Sequence, residues 1–460
     1  MVRIFGYFFP SRLLVQALLD VFLLVGLIEI SENFSRLITG GQPSLWLSNG
    51  LALLLAPGGV ISIWAMGFYR QDMQLSHRSG LLAATSAAIL AMTLGGIAVL
   101  VFRVALGLAD PTPFRWSTTL TALCVFCVCL VRSRFILTAH STLFKRQILL
   151  IGDGSRAAEI ERLAQSASSN IVIQKWVRPD RSGATLTQSL EAITAEELRR
   201  EGVSEVVVAT EEQRGLPMQA LLQYKLCGIR VTDYLTFRER ECGCIDLPAL
   251  QPSWIVYSEG CRQGFCGALI KRTFDVSVSV VLLTLAAPLL AVVSVMIALE
   301  SRGPIFYAQE RVGLGGRTFT LLKFRSMRTD AEISAAPQWA SKRDSRITRV
   351  GSLLRPMRID ELPQLINVLR GDMSLIGPRP ERPFFVDQLS QEIPFYEFRH
   401  VIRPGLTGWA QINAPYASSV AETRIKLSYD LYYIKNRSFF IDLQIALSTI
   451  RVVLLREGAI

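Results

Sequence analysis

Two adjacent carboxylates, Asp360 and Glu361, sit in the run Arg358-Ile359-Asp360-Glu361-Leu362-Pro363-Gln364, and arginines crowd them. Arg355 and Arg358 come just before; Arg370, Arg379 and Arg382 come after. Guanidinium groups grip anionic oxygens in pairs. An ionised carboxylate can hold Mg²⁺ or attack phosphorus as a nucleophile. The combination points to phosphoryl chemistry, where positioning and charge neutralisation do most of the catalytic work. Asp360 is the candidate nucleophile, and nearby arginines are expected to favour its ionised form. Either carboxylate could be the Mg²⁺ ligand. Lys323, Arg325, Arg358 and Arg379 are the candidate contacts to phosphate or nucleotide. Arg379 lies in Gly377-Pro378-Arg379-Pro380, a stiff loop that would aim its side chain. The histidines, His77, His140 and His400, form no evident cluster, so an imidazole general base is not indicated.

The elements that must position these residues begin in a membrane. Half of the 460 residues are hydrophobic, and the net charge is +11. Such a basic excess suits nucleic acid, anionic lipid or anionic small molecules. The long apolar runs favour the last two, and no nucleic-acid module is visible. Leu13 to Ile30, Leu45 to Tyr69, Leu81 to Leu108 and Ser117 to Thr138 each approach or exceed the roughly 20 residues that cross a bilayer. Arginines flank the ends expected to face the cytoplasm, which places both ends of this bundle there. Residues 1–144 therefore read as a four-helix transmembrane bundle.

Residues 145–250 read as a Rossmann-like α/β module. The buried-strand pattern Gln147 to Ile151 is followed by Gly152-Asp153-Gly154-Ser155-Arg156-Ala157 and then a helical run. Strand, glycine turn and helix open a nucleotide-binding unit. Gly152 and Gly154 are thus a candidate nucleotide turn, although a tight turn needs glycine with or without a ligand. The acidic residue that would hold a ribose is not evident: the second strand runs into Gln174-Lys175-Trp176. A structural or regulatory module is the expectation. The eight cysteines have no zinc-site spacing and read as ordinary thiols.

Residues 251–267 look like a linker. Residues 268–300 open on Lys271 and Arg272 and continue into an apolar run interrupted by Pro288, where the helix should kink. Such a helix can enter a membrane and return. Residues 301–460 carry the carboxylates.

The carboxylate block resembles the bacterial sugar transferases that load a polyprenyl phosphate carrier, the polyprenyl-phosphate hexose-1-phosphate transferases. The resemblance extends over Lys323-Phe324-Arg325-Ser326-Met327, Gly377-Pro378-Arg379-Pro380, Arg403-Pro404-Gly405-Leu406-Thr407-Gly408-Trp409 and Tyr429-Asp430-Leu431-Tyr432-Tyr433-Ile434. It implies an α/β catalytic domain anchored by a re-entrant helix, behind the membrane bundle and the Rossmann-like module. It also implies an Asp360–Glu361 dyad in which Glu361 holds Mg²⁺, a UDP-sugar donor and an undecaprenyl phosphate acceptor. Asp360 would form a phosphosugar intermediate and UMP would leave. The enzyme would sit in the bacterial inner membrane, multi-pass, with its catalytic domain on the cytoplasmic face. The start of the chain is similar to the exopolysaccharide-associated subgroup. Family habit and the apolar C-terminal helix suggest a homodimer. The alternatives are a glycosyltransferase that moves only the sugar and releases UDP, or a non-catalytic nucleotide-sensing scaffold. The identity of the sugar is not legible.

Overall fold

The structure is a computed structural model. It describes the chain except residues 1, 5–6, 10, 40–44, 69–76, 107–118, 120, 132–144, 167–170, 179–189, 191–192, 212–215, 251–263, 329–345, 415–418 and 455–460. Most of the expected linker and both ends of the fourth expected span lie outside the described residues. Two compact units emerge. One joins residues 1–136 to 252–460; the other is residues 137–251.

The second unit is an α/β layer structure with helices α5 (Gly154–Gln165), α6 (Ala195–Arg200), α7 (Met218–Leu226) and α8 (Tyr234–Cys242). Strands β3 (Arg146–Ile151), β4 (Ile171–Val177), β5 (Val203–Val208) and β6 (Arg230–Asp233) form one parallel sheet in the order β4-β3-β5-β6. These are the segments whose apolar runs predict buried strands. Successive side chains alternate faces. Leu149, Ile151, Val206 and Val208 therefore pack with Leu198, Leu221 and Tyr224 on one side. Ile148, Leu150 and Val207 pack with Ala157, Ile160 and Phe237 on the other. A sheet covered on both faces explains why its strands read as continuous apolar runs.

In the first unit, a short antiparallel pair, β1 (Val2–Ile4) and β2 (Tyr7–Phe9), precedes α1 (Ser11–Thr39), α2 (Leu45–Ala65), α3 (His77–Leu106) and a shorter apolar helix, α4 (Thr121–Val131). Their core is built from Leu24 and Ile28, Leu55 and Ile63, the alanine face Ala83, Ala84, Ala87 and Ala91, and Val125 and Cys129. Small residues at helical spacing let the backbones approach closely. Among the described residues, two helical stretches are long and apolar enough to cross a membrane: Leu81–Val99 and Phe265–Glu300.

The second of these is α9 (Phe265–Glu300), which organises the remainder of the unit. Pro288 lies inside it and does not end it. The helix continues past the expected break: a proline removes one hydrogen bond and bends a helix without ending it, while the turns on either side keep theirs. At about 1.5 Å per residue, 36 residues run roughly 54 Å, well beyond one bilayer core. Both ends pack on the same unit. Near the start Lys271, Asp275 and Ser279 are buried; near the end Val293 and Ile297 are buried against Phe324 and Leu354. Between Val280 and Val292 no residue is buried, and Val281, Leu285 and Leu289 are exposed.

After α9 come the antiparallel hairpin β7 (Phe306–Val312) and β8 (Thr318–Phe324), then α10 (Arg349–Leu354) and α11 (Gln364–Arg370). Strand β9 (Ser374–Ile376) pairs in parallel with β10 (Gly405–Thr407). Helices α12 (Pro383–Glu392), α13 (Trp409–Asn413), α14 (Val420–Lys435) and α15 (Phe439–Leu454) complete the unit. Caps fix the helix starts. Thr348 accepts from the Gly351 amide at 2.9 Å, and Ser419 accepts from the Glu422 amide at 3.2 Å. Leu447 and Ile450 of α15 pack against the core of the N-terminal helices.

Candidate active site

Asp360 and Glu361 occupy one 3₁₀ turn, Ile359–Glu361, between α10 and α11. Arg358 caps it with φ at +56°, a left-handed conformation that arginine rarely adopts. Held strain of this kind concentrates where a side chain must be aimed. Pro363 then leads into α11, as its fixed φ suits a helix start. Both carboxylates are only 8 % exposed.

The two carboxylates have different surroundings. Glu361 is surrounded by cations: Arg379 Nη2 donates to its Oε1 at 2.7 Å, Lys323 Nζ lies 3.3 Å from the same oxygen, and Arg358 Nη1 lies 3.6 Å from Oε2. Burial opposes ionisation, but these charges outweigh it and hold Glu361 well below the usual carboxylate range. Asp360 accepts no hydrogen bond and forms no ion pair among the described residues. Burial and the adjacent Glu361 charge raise its pKa, and the more distant Lys323, Arg355 and Arg379 offset this only in part. The expectation that nearby arginines favour an ionised Asp360 is therefore not met: burial and the Glu361 charge outweigh them there, and the net lowering falls on Glu361 instead. Desolvation acts at no distance, whereas the cations are spent on the neighbouring carboxylate.

This difference sets a pH dependence. A nucleophilic Asp360 works only when ionised, and a raised pKa means that it gains its proton sooner as pH falls. The acid limb of the kcat/KM profile is expected above the ordinary carboxylate range near pH 4. A limb at or below that range would contradict the arrangement.

Two side chains locate the cations. Lys323 extends from β8, whose neighbouring residues are tied to α11 by Asn367. The Asn367 amide donates to the Thr320 carbonyl at 2.7 Å and accepts from the Leu322 amide at 3.0 Å. Arg379 extends from the loop after β9. There Gly377 packs backbone to backbone against Arg403 and Gly405, leaving no room for a Cβ. The Gly377 amide donates to Thr407 O at 2.9 Å, and the Gly405 amide to Pro378 O at 2.8 Å. The motif Arg403 to Trp409 thus acts as the bed of the Arg379 loop. Trp409 stacks on Tyr432, and Tyr433 is buried, so these aromatics are core.

Arg325 is not brought to the carboxylates. It is buried and donates to Ser301 O at 2.7 Å and Arg302 O at 3.2 Å, closing the C-terminal end of α9. Alternation along β8 would put Arg325 on the face of Lys323, two residues away, but Arg325 lies beyond the strand's last residue, Phe324. Arg325→Ala is expected to cost about 2–3 kcal/mol in unfolding free energy by stranding those carbonyls. It should leave the KM of a nucleotide donor within about twofold, as kinetics on the purified protein would register. A large KM rise with unchanged stability would return Arg325 to the site.

The glycine turn of the second unit is accounted for by packing. Gly152 has φ at +127°, and a Cβ there would meet the Ala209 and Thr210 backbone. Glu211 reaches into the turn, where Ser155 Oγ donates to its Oε1 at 2.9 Å, and the Trp176 indole donates to Gly152 O at 2.8 Å. A carboxylate at that helix start stands where a phosphate would be held.

Sequence reasoning gave no role to several buried charges, among them Lys271, Asp275, Arg399 and Asp442. Lys271 and Asp275 lay in view at the start of the apolar run, four residues apart. No signal marked Arg399 or Asp442 singly.

Among the described residues no group of three or more His, Cys, Asp or Glu could hold a metal. The adjacent pair of ionisable carboxylates fits a different mode. Mg²⁺ is commonly held by one or two carboxylates together with phosphate oxygens of a substrate and water.

Comparison with known proteins agrees with this geometry. Residues 266–456 match the family model described as bacterial sugar transferase. A UDP-N-acetylgalactosamine-undecaprenyl-phosphate N-acetylgalactosaminephosphotransferase of Aeromonas hydrophila is 52 % identical over 192 residues, covering 42 % of this chain and 45 % of that protein. An undecaprenyl-phosphate glucose phosphotransferase of Komagataeibacter xylinus is 32 % identical over 317 residues, 66 % of this chain and 58 % of that protein. The chain thus spans about half the length of these two relatives. A UDP-glucose:undecaprenyl-phosphate glucose-1-phosphate transferase of Caulobacter vibrioides is 44 % identical over 193 residues, and 72 % of its length is covered. With the dyad, its cations and the loop that presents Arg379 all inside the matched region, the chain belongs to the bacterial sugar transferase family.

Proposed function

We propose that this protein transfers a hexose 1-phosphate from a UDP-sugar to undecaprenyl phosphate, releasing UMP and leaving an undecaprenyl-diphosphate-linked sugar. The observation that carries the reading is the contrast inside the dyad: Glu361 is held ionised by three cations, while Asp360 beside it has no hydrogen-bond or ion-pair partner among the described residues. An unpartnered, desolvated carboxylate of raised basicity is suited to attack. One Asp360 oxygen attacks the phosphorus that bears the sugar. The bond from that phosphorus to the bridging oxygen breaks, and UMP departs with the electron pair. A terminal oxygen of undecaprenyl phosphate then attacks the same phosphorus, and the Asp360 carboxylate is released. Lys323, Arg358 and Arg379 neutralise the charge of the phosphate oxygens.

Glu361, with Asp360 adjacent, would hold Mg²⁺. When bound, the ion would add charge neutralisation at the diphosphate. The cations around Glu361 would then turn to substrate oxygens.

The exposed apolar middle of α9 supports a bilayer anchor. Both of its ends dock on one unit, so a helix that enters and returns keeps the dyad on the face where nucleotide sugars and the carrier's phosphate meet, the cytoplasmic one. The transfer would be a first membrane step in exopolysaccharide assembly. The test is the identity of the released nucleotide. The protein in nanodiscs, given Mg²⁺, undecaprenyl phosphate and a panel of UDP-sugars, is expected to release UMP from one donor. Release of UDP would move the assignment to glycosyl transfer, and release of neither nucleotide would overturn it.

A further inference from the structure

We propose that Arg399 is a positioning residue for the reaction: it does not meet the carboxylates, but fixes the backbone from which Arg379 reaches Glu361. The inference deepens the functional reading above and rests on it for its kinetic part only.

Arg399 is 6 % exposed and lies in the 3₁₀ segment Tyr396–Val401. Its Nη2 donates to Arg379 O at 2.9 Å and faces Asp430 Oδ2 at 3.1 Å. Its Nη1 donates to Tyr396 Oη at 2.6 Å. The next carbonyl, Pro380 O, accepts from Arg311 Nη1 at 3.1 Å, and the one after, Glu381 O, accepts from the Val312 amide at 2.9 Å. Three consecutive carbonyls are thus held by groups from outside the loop. Two of those groups are guanidiniums.

A second observation points the same way. Among the described residues, the non-glycine positions with positive φ are Arg358, at +56°, and Phe395, at +64°. Arg358 opens the turn that carries Asp360 and Glu361; Phe395 opens the segment that carries Arg399. Left-handed backbone at a non-glycine residue persists only where the surroundings impose it. Here both instances aim a side chain at the same few atoms, one directly and one through Arg379. Burying a guanidinium is costly unless its donors are used. This one binds a carbonyl, a carboxylate and a phenol, a fork that a lysine cannot reproduce.

The test compares Arg399→Lys, Arg379→Ala and the double variant in the purified full-length protein. Arg399→Lys keeps the charge and loses the fork. It is expected to lower kcat/KM about 10²-fold, the scale of a roughly 1 Å misplacement. In the Arg379→Ala background the same change is expected to cost less than about twofold, because Arg399 would have nothing left to aim. Equal losses in both backgrounds would make Arg399 merely structural and overturn the proposal, as would wild-type activity in Arg399→Lys. Asp430→Asn serves the same comparison if Arg399→Lys does not accumulate. Amide hydrogen exchange separates this proposal from the functional reading. Arg399→Lys should speed exchange in the peptide spanning Gly377–Glu381 and not across the unit. If the wild-type protein releases no UMP, the functional reading falls, and the exchange result still decides the clamp. Unchanged exchange there overturns it.

Discussion

Asp360→Asn is expected to lower UMP release by about 10⁴-fold or more while leaving the protein folded and still able to bind donor. That is a loss of about 5 kcal/mol of transition-state stabilisation. Asparagine keeps the shape of the side chain and removes its nucleophilic charge. Because Asp360 has no hydrogen-bond partner among the described residues, the amide leaves no broken ion pair behind. The neighbouring change should behave differently. In Glu361→Gln, Arg379, Lys323 and Arg358 lose the carboxylate they converge on, so both activity and stability should fall. Three measurements separate the two variants: UMP release, thermal unfolding, and incubation with donor alone. Without acceptor, the wild type should release one equivalent of UMP and retain labelled phosphosugar through denaturation. Asp360→Asn should retain none. Labelled Asp360→Asn, or a loss of less than about tenfold, would remove Asp360 from the nucleophile's role.

The candidate site was legible because it is local. Asp360 and Glu361 are adjacent, Arg358 is one turn away, and Arg379 lies in a run whose glycine and prolines already imply a fixed loop. The strands of the α/β unit were legible because burial on both faces makes their apolar runs continuous. Arg325 was misplaced for a geometric reason. It is two residues from Lys323, but β8 ends at Phe324, and past that end the chain turns Arg325 toward the carbonyls of α9. Charge composition cannot distinguish a guanidinium that meets a phosphate from one that meets a helix end. The raised pKa of Asp360 was also beyond reach, since it depends on where Lys323 and Arg379 spend their charge. Gly152 and Gly154 illustrate the converse: the motif was found, but only the position of Glu211 shows what the turn accommodates. Arg399 could not be assigned because its partner is a backbone carbonyl 20 residues earlier in the chain.

Lys271→Met is expected to destabilise the protein by about 3–5 kcal/mol, and Asp442→Asn added to it should recover part of that loss. Lys271 is 7 % exposed and lies 3.0 Å from Asp275 Oδ1 and 3.0 Å from Asp442 Oδ2. Removing the cation leaves two buried carboxylates facing each other, the most costly way to break a buried pair. Neutralising one of them relieves the repulsion, so the double variant should be the more stable. Unfolding in nanodiscs, followed by intrinsic fluorescence, would measure both. A loss below about 1 kcal/mol in the single variant would mean that the cluster contributes little. The consequence extends to the site. Asp275 Oδ2 accepts from Ser374 Oγ at 2.8 Å, and Ser374 opens the strand that leads into Gly377 and the Arg379 loop. Asp442 Oδ1 accepts from Tyr433 Oη at 2.7 Å, joining α14 to the same cluster. Arg272, next along α9, donates to Val368 O at 2.6 Å and Leu369 O at 2.8 Å at the end of the helix that follows the dyad. The start of the apolar helix is therefore fastened both to the strand that presents Arg379 and to the helix behind Asp360 and Glu361. Loosening it should cost activity beyond what the fall in folded fraction explains, and the ratio of the two losses measures how rigidly the anchor holds the site.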